Sequence, residues 1–488
     1  MTILLTIAVY FAVLLTVSRL TGRGGGNDDF FRAGRRSPWP VVAFGMVGAS
    51  LSGVTFISVP GMVMGIDMTY LQMCMGFIVG YLLVAFVLLP LYYRYGLTSI
   101  YGYLGVRFGR VSHRTGAWFF LLSKLTGAAA RLYLVCLILQ RYALPRVPFA
   151  AIVAGTLLLI WLYTRRGGVR TLVWTDALQT LCLLLALVAI LWRTASLLGM
   201  DAGQAWQAVL TDPHSRVFEW TDWGSRQHFW KQFLSGVFIV VVMTGLDQDT
   251  MQKNLTCRTL RDGQKDLCSY GVLFLPVNAL FLALGILLTM VYAHSGTPLP
   301  VTGDELLPGL VGTGRMGQGV LALFTIGIIA SAFSSADSAL TALTTSFCVD
   351  ILGRDDDTRM RKRVHVGVCL VFILFILAFK AIGSSSVIDA IYTLASYTYG
   401  PLLGLFAFGM CTRRMPSERF VPVVAVLSPC LCYAVDLWTQ HCTSYRCGYE
   451  LLLLNGLLTF CGLWALSIGH PHRLPQPNRA PSGSARQP

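Results

Sequence analysis

The sequence predicts an all-α polytopic membrane protein organised as an inverted repeat of five-helix sets, and three observations predict it. The chain is 55% hydrophobic and only 12% charged, with a mean hydropathy of +0.63, whereas soluble domains carry about 25% charged residues. Apolar stretches of the ~20 residues needed to cross a bilayer recur along most of the 488 residues. Two of these stretches are interrupted at corresponding places, as expected of paired discontinuous helices in a repeat.

Hydropathy with Gly, Pro and Arg punctuation predicts thirteen spans, near 3–20, 40–65, 69–93, 116–140, 148–164, 171–193, 232–250, 268–293, 318–350, 364–382, 386–410, 420–438 and 450–468. The first apolar run is too long for a signal-peptide core and has no basic residue before it, so it reads as a retained helix. One domain, 1–470, is expected: an extra helix (1–20), two five-helix sets (40–193 and 232–410) and two peripheral helices (420–468). The Pro, Ser and Arg-rich tail, 471–488, reads as disordered and cytoplasmic, too short for a signalling output domain. Between the sets, 194–231 carries Trp206, Trp220, Trp223 and Trp230, suited to a short interfacial helix.

The formal charge of +15 reflects topology, not nucleic acid. Placing the amino terminus outside and the carboxyl terminus inside puts most basic residues on the cytoplasmic side, in 19–38, 94–114, 164–170, 252–265, 353–363, 411–419 and the tail. Lys124 and Arg131 fall within a span. Most of the 13 cysteines lie singly in apolar runs, where cysteine acts as a small hydrophobe. Cys442 and Cys447 share a predicted external loop, where a disulfide or two free thiols are both compatible with the sequence.

The interrupted spans contain "GMVGASLSGVTFISVPG" (45–61) and "VVVMTGLDQDT" (240–250). Glycines, serines and Pro60 weaken the first, and Gly245 followed by acids weakens the second. Unwound backbone survives in hydrocarbon only where protein buries it or a cavity faces it. The breaks therefore mark a binding site.

A third segment supplies the ligand chemistry. In the predicted span 318–350, Ser331, Ser334, Ser335 and Ser338 follow the i, i+3, i+4, i+7 spacing of one helix face. Hydroxyls and carbonyls suit a hard monovalent cation, without the cluster of acids that divalent sites use. Serines also pack membrane helices closely or bond to the preceding turn, which is the competing reading. Asp337 in the same span tips the balance, because an ionisable residue there costs ~2.5–3.5 kcal/mol and is by default functional. Asp176 in "VWTDALQ" adds a second acid, which a helix cap at the water boundary would also explain.

The segment "DFFRAGRRSPWPVVAFGMVGASLSGVTFISVPG", with "TSIYGYLGVRFG", "VWTDALQ", "GLDQDTMQKNL" and the hydroxyl helix ending "CVDI", resembles the sodium/solute symporter family over roughly residues 1–470. The resemblance implies a LeuT-type bundle of about thirteen helices and symport of sodium with a small solute. Carried over by position, it implies sodium ligands at the carbonyls of Gly48, Leu51 and Ser331 and the hydroxyls of Ser334 and Ser335. Asp176, Asp337 and Ser338, with Ser334, fall where some members hold a second sodium. Ser50, Ser52 and Thr55, facing Gln72, are candidate solute contacts, and Arg131 could pair a carboxylate. The chain has Gly102 where the family often has an acid and Val240 where sugar carriers have asparagine, which weakens a hexose assignment.

Enzyme readings lack a constellation: the eight histidines form no HExxH cluster and no GxxxxGK[ST] loop exists. "GTGRMG" at 312–317 fits GxGxxG but has no preceding strand. The expectation is a monomeric, sodium-coupled carrier of a small polar organic solute, a sugar derivative, sugar acid or other carboxylate, in the plasma (cell inner) membrane. The bilayer is its surroundings and nucleic acid is not a partner. A proton-coupled carrier of the same fold and a membrane sensor or channel are the alternatives.

Overall fold

The computed structural model describes residues 2–22, 26–51, 53–312, 314–382, 387–443 and 450–468. Among them the regular elements are helical, apart from one isolated bridge between Ser37 and Cys257. The long helices, in chain order, are α1 (Thr2–Thr21), α2 (Trp39–Ser50), α3 (Gly53–Ile66), α4 (Tyr70–Tyr95), α5 (Arg110–Ile138), α6 (Phe149–Gly167) and α7 (Val169–Leu197). They continue with α8 (Phe229–Gly245), α9 (Gln248–Asn254), α10 (Leu260–His294), α11 (Gln318–Leu352), α12 (Thr358–Ile382), α13 (Val387–Cys411), α14 (Val421–Thr443) and α15 (Glu450–Leu466).

Among the described residues seven helices are long and apolar enough to cross a membrane, and nine if each of two bent pairs forms one span. Shorter apolar helices cover Ala8–Thr21, Phe149–Arg165 and Glu450–Leu466. Helices run past the apolar stretches where a cap allows it. α10 starts at Leu260, ahead of the expected 268, because the Thr259 hydroxyl accepts from the Asp262 amide at 3.1 Å and satisfies an N-terminal donor.

Both expected breaks are present. α2 and α3 meet at 56° and α8 and α9 at 71°. The first break falls at Leu51, whose ψ of 79° leaves the helical region; Pro60 sits inside α3, which continues through it. The second follows a wide turn at Val241–Gly245, and Asp247 restarts the helix by accepting from the Asp249 amide at 2.9 Å. In the segment between the sets, Asp201 and Gln204 form a capping box on a helix over Ala202–Thr211 that carries Trp206. Trp220 and Trp223 lie in the loop beyond it, and Trp230 is already in α8.

α11 is the centre of the bundle, with an unbroken buried run from Gly327 to Ser346. It packs against α7, α5 and the broken α2/α3 pair, while α8 lies along α4. At that last interface a Cβ on Gly76 would stand 2.1 Å from the Phe233 carbonyl oxygen, so glycine sets the approach of the two backbones. α12 and α14 are peripheral: Leu370, Leu374, Val423 and Val426 stay exposed, as side chains facing lipid would. Cys442 is an exposed free thiol; Cys447 and the tail lie outside the described residues.

Candidate functional site

The break at Leu51 leaves the last carbonyls of α2 without intrahelical partners. The hydroxyl stripe of α11 faces them. Ser331 Oγ donates to the Leu51 oxygen at 2.9 Å, and Ser335 Oγ lies 3.5 Å from the Ala49 oxygen. Ser334 Oγ turns to the third wall and donates to Asp176 Oδ1 on α7 at 2.7 Å. Gly48 makes this corner, because a Cβ there would lie 2.1 Å from Thr180 Oγ1, and its own amide donates to that oxygen at 3.1 Å. Gly48, Leu51, Ser331, Ser334, Ser335 and Asp176 therefore meet where α2, α7 and α11 join.

Asp337 and Ser338 belong to the neighbouring turn of α11. The Asp337 carboxylate accepts from Tyr163 OH at 2.6 Å and from Ser338 Oγ at 3.3 Å. Among the described residues it shares no hydrogen-bonding partner with Asp176.

Asp176 has an ionic partner that the sequence does not suggest. Lys253 Nζ lies 2.7 Å from Asp176 Oδ2, in contact but off the hydrogen-bonding direction, with 4% and 1% of the two side chains exposed. Its position in the basic stretch 252–265 reads as a cytoplasmic loop. The structure instead places it in α9, directly after the break, where it points into the bundle. The available signal is the four-residue step from Asp249, which puts both residues on one face of a short helix.

From there the charges continue. Lys124 on α5 lies 2.7 Å from Asp249 and 3.2 Å from Asp247, and the Tyr399 hydroxyl donates to Asp247. Lys253 is 4.0 Å from the other oxygen of Asp249. Two cations and three carboxylates thus form one chain from the α8/α9 break to the hydroxyl stripe.

This chain borders an internal cavity of about 140 Å³ lined by Ser50, Thr55, Lys124, Arg131, Asp247, Tyr399 and Ser335, among others. Ser50 and Ser335 place the cavity against the oxygen cluster. Ser50 Oγ shares a hydrogen bond with Tyr270 OH, which in turn accepts from Tyr81 OH at 2.5 Å. Arg131 forms no hydrogen bond or ion pair with the described residues. Gln72 is not on the cavity wall. Its amide donates to the Gln227 oxygen at 2.9 Å and accepts from the Glu219 amide at 3.1 Å, tying α4 to the segment between the sets. Ser52 lies outside the described residues.

Two broken helices, a cluster of hydroxyls and carbonyls at one break and a polar cavity on the same wall define an ion-coupled secondary transporter. The chain belongs to the sodium:solute symporter family, whose model matches residues 30–418. It is 28% identical to the Homo sapiens sodium/iodide cotransporter over 452 residues, covering 88% of this chain and 68% of that one. It is 26% identical to the sodium/sialic acid symporter of Aliivibrio fischeri over 474 residues, covering 93% and 90%. In fold it is similar to the substrate-bound, outward-open structure of a Na+-coupled sialic acid symporter, with a TM-score of 0.81, 21% identity and coverage of 96% and 98%. The protein is a multi-pass membrane symporter that couples a solute to sodium; it is not an enzyme.

Proposed function

We propose that this symporter carries a small organic solute bearing a carboxylate, a sugar acid or another organic acid, inward across the plasma (cell inner) membrane. The observation that carries the reading is Arg131: a guanidinium inside a span, facing a cavity, with no acid paired to it among the described residues. A cation so placed is costly unless a ligand supplies the counter-charge, and guanidinium forks match carboxylates in geometry. The related chains named for iodide and sialic acid also take anionic or acidic solutes, which supports the same class here. Ser50 and Thr55 line the same cavity and offer hydroxyls to the rest of the solute.

In this reading the sodium ligands are the carbonyls of Gly48, Leu51 and Ser331 and the hydroxyls of Ser334 and Ser335. Sodium would draw the Ser334 and Ser335 hydroxyls, the Ser331 carbonyl and the α2 carbonyls onto itself, fixing α11 against the break that also forms the cavity wall. Linkage then makes solute and sodium raise each other's affinity equally. One charge moving through 100 mV releases ~2.3 kcal/mol and a tenfold gradient about 1.4, enough for roughly 500-fold accumulation of a neutral solute; an anion carried with one sodium gains only the chemical term.

The remaining architecture follows from the same reading: a monomeric single domain over 1–470, thirteen crossings, amino terminus outside, carboxyl terminus cytoplasmic, and 40–193 and 232–410 as inverted five-helix sets. A thermal-shift screen of the purified protein against sugar acids, monocarboxylates, neutral sugars, amino acids and vitamins, with sodium or choline, tests the class. Stabilisation by acids in sodium alone is the expected result. Stabilisation confined to neutral solutes would overturn it.

A further inference from the structure

The family resemblance puts Asp176 among the residues of a second sodium position, but both of its oxygens already have close polar neighbours. Oδ1 accepts from Ser334 at 2.7 Å, and the Gln179 amide, turned so that its nitrogen faces the carboxylate, reaches the same oxygen at 3.2 Å. Oδ2 holds the Lys253 ammonium at 2.7 Å. A sodium ion bound to this carboxylate would sit against an ammonium with almost no solvent to screen the repulsion.

The charge balance points the same way. Lys124 and Lys253 face Asp176, Asp247 and Asp249, which leaves the connected chain one negative charge in excess. Buried charge is tolerated when it is paired. One monovalent ion at the neighbouring hydroxyl and carbonyl cluster neutralises this ion-paired chain.

We propose that the Lys253 ammonium is the resident cation of Asp176, so that the chain itself fills the second position and one sodium ion is bound per transporter. This rests on the sodium site assigned above. Lys253 is then a positioning residue: it holds the Asp176 carboxylate oriented to fix Ser334, and through that carboxylate it sets the number of ions. Removing its charge while keeping its length frees Oδ2, the Ser334 hydroxyl and nearby α11 oxygens to collect a second sodium.

The test is equilibrium binding of Na-22 to the purified full chain, read as ions per protein and as steepness in sodium concentration. Wild type should bind one ion without cooperativity, Lys253→Met should approach two with a steeper curve, and Lys253→Arg should stay at one. Asp176→Asn should also stay at one, which keeps the test decisive if Lys253→Met does not fold. Two ions in wild type, a fall in the Asp176→Asn count, or one ion in folded Lys253→Met would each overturn the proposal. A wild-type protein with no saturable sodium would remove the sodium site itself, a result distinct from a count of two.

Discussion

Ser331 Oγ donates to the Leu51 carbonyl oxygen at 2.9 Å, joining the middle of α11 to the end of α2 across 280 residues of chain. The two atoms meet because one helix stops at the point where the other exposes its oxygens. If the Leu51 carbonyl and the hydroxyls of Ser334 and Ser335 bind sodium, deleting one hydroxyl removes one ligand and little bulk. Ser334→Ala and Ser335→Ala should each raise the sodium concentration for half-maximal uptake about tenfold or more, the equivalent of ~1–2 kcal/mol. Membrane abundance should change little. Normal sodium activation in both variants would exclude the site.

Gly48 tests the packing that shapes this corner. Its missing Cβ would lie 2.1 Å from Thr180 Oγ1 and 2.9 Å from Thr180 Cα, so a methyl group cannot be absorbed by rotating one side chain. Gly48→Ala should force α2 away from α7 at a cost of about 1–3 kcal/mol, seen as a lower melting temperature and weaker sodium binding. Gly48→Ala with Thr180→Ala should recover only part of the loss, since the new methyl group still presses on the backbone of α7 at position 180. A variant as stable as wild type would show that the two helices are not locked here.

The run of long apolar helices and both breaks could be read from the sequence because bilayer physics writes them locally: a spanning helix must be apolar, and a break needs residues that leave helical geometry. The hydroxyl stripe was legible for the same reason, since Ser331, Ser334, Ser335 and Ser338 are spaced along one helix. What the sequence hid were partnerships between distant segments. Thr180, Tyr163 and Lys253 acquire their roles only when α7, α6 and α9 are brought against α2 and α11. Lys253 was the hardest to see, because positive charge just past a span ordinarily means cytoplasm. Gln72, expected to face Ser50, Ser52 and Thr55, instead has its partners in the backbone at Glu219 and Gln227.

Lys124 carries a stability prediction. It lies between Asp249 at 2.7 Å and Asp247 at 3.2 Å, with a tenth of its side chain exposed. Lys124→Met takes the nearest cation from two nearly buried carboxylates, leaving Asp249 only the more distant Lys253, and breaking such a pair from one side costs roughly 3–5 kcal/mol. The variant should melt well below wild type and lose uptake. Adding Asp249→Asn removes one stranded charge and should restore part of the melting temperature. Additive losses in the double variant would mean that the three groups are not coupled.

Arg131 separates solute recognition from ion binding. Arg131→Gln keeps a polar side chain in the cavity but removes the charge proposed to meet the carboxylate. Losing a charged partner of this kind typically costs about 2–5 kcal/mol, so half-saturation for an acidic solute should rise at least 30-fold, while sodium binding without solute should remain near wild type. Equal loss of both would make Arg131 structural.

Glu219 gives a pH dependence outside the spans. One oxygen accepts from the Thr221 hydroxyl at 2.6 Å and the Thr221 amide at 3.0 Å, and the other meets Arg216 at 2.6 Å. The Thr221 bonds, with that ion pair, hold the carboxyl below the usual glutamate range. For an acid whose folded value is lowered, the stabilisation is complete above the unfolded value of about 4.3 and disappears as pH falls through the folded one. The segment from Arg216 to Phe229 should therefore stay ordered at neutral pH and loosen only below the usual glutamate range. Its exposed Trp220 and Trp223 give a fluorescence readout. Glu219→Gln should loosen the segment already at neutral pH and abolish the acid step, because it removes the titrating group while leaving one acceptor for Thr221; an unchanged acid transition in that variant would assign the step elsewhere.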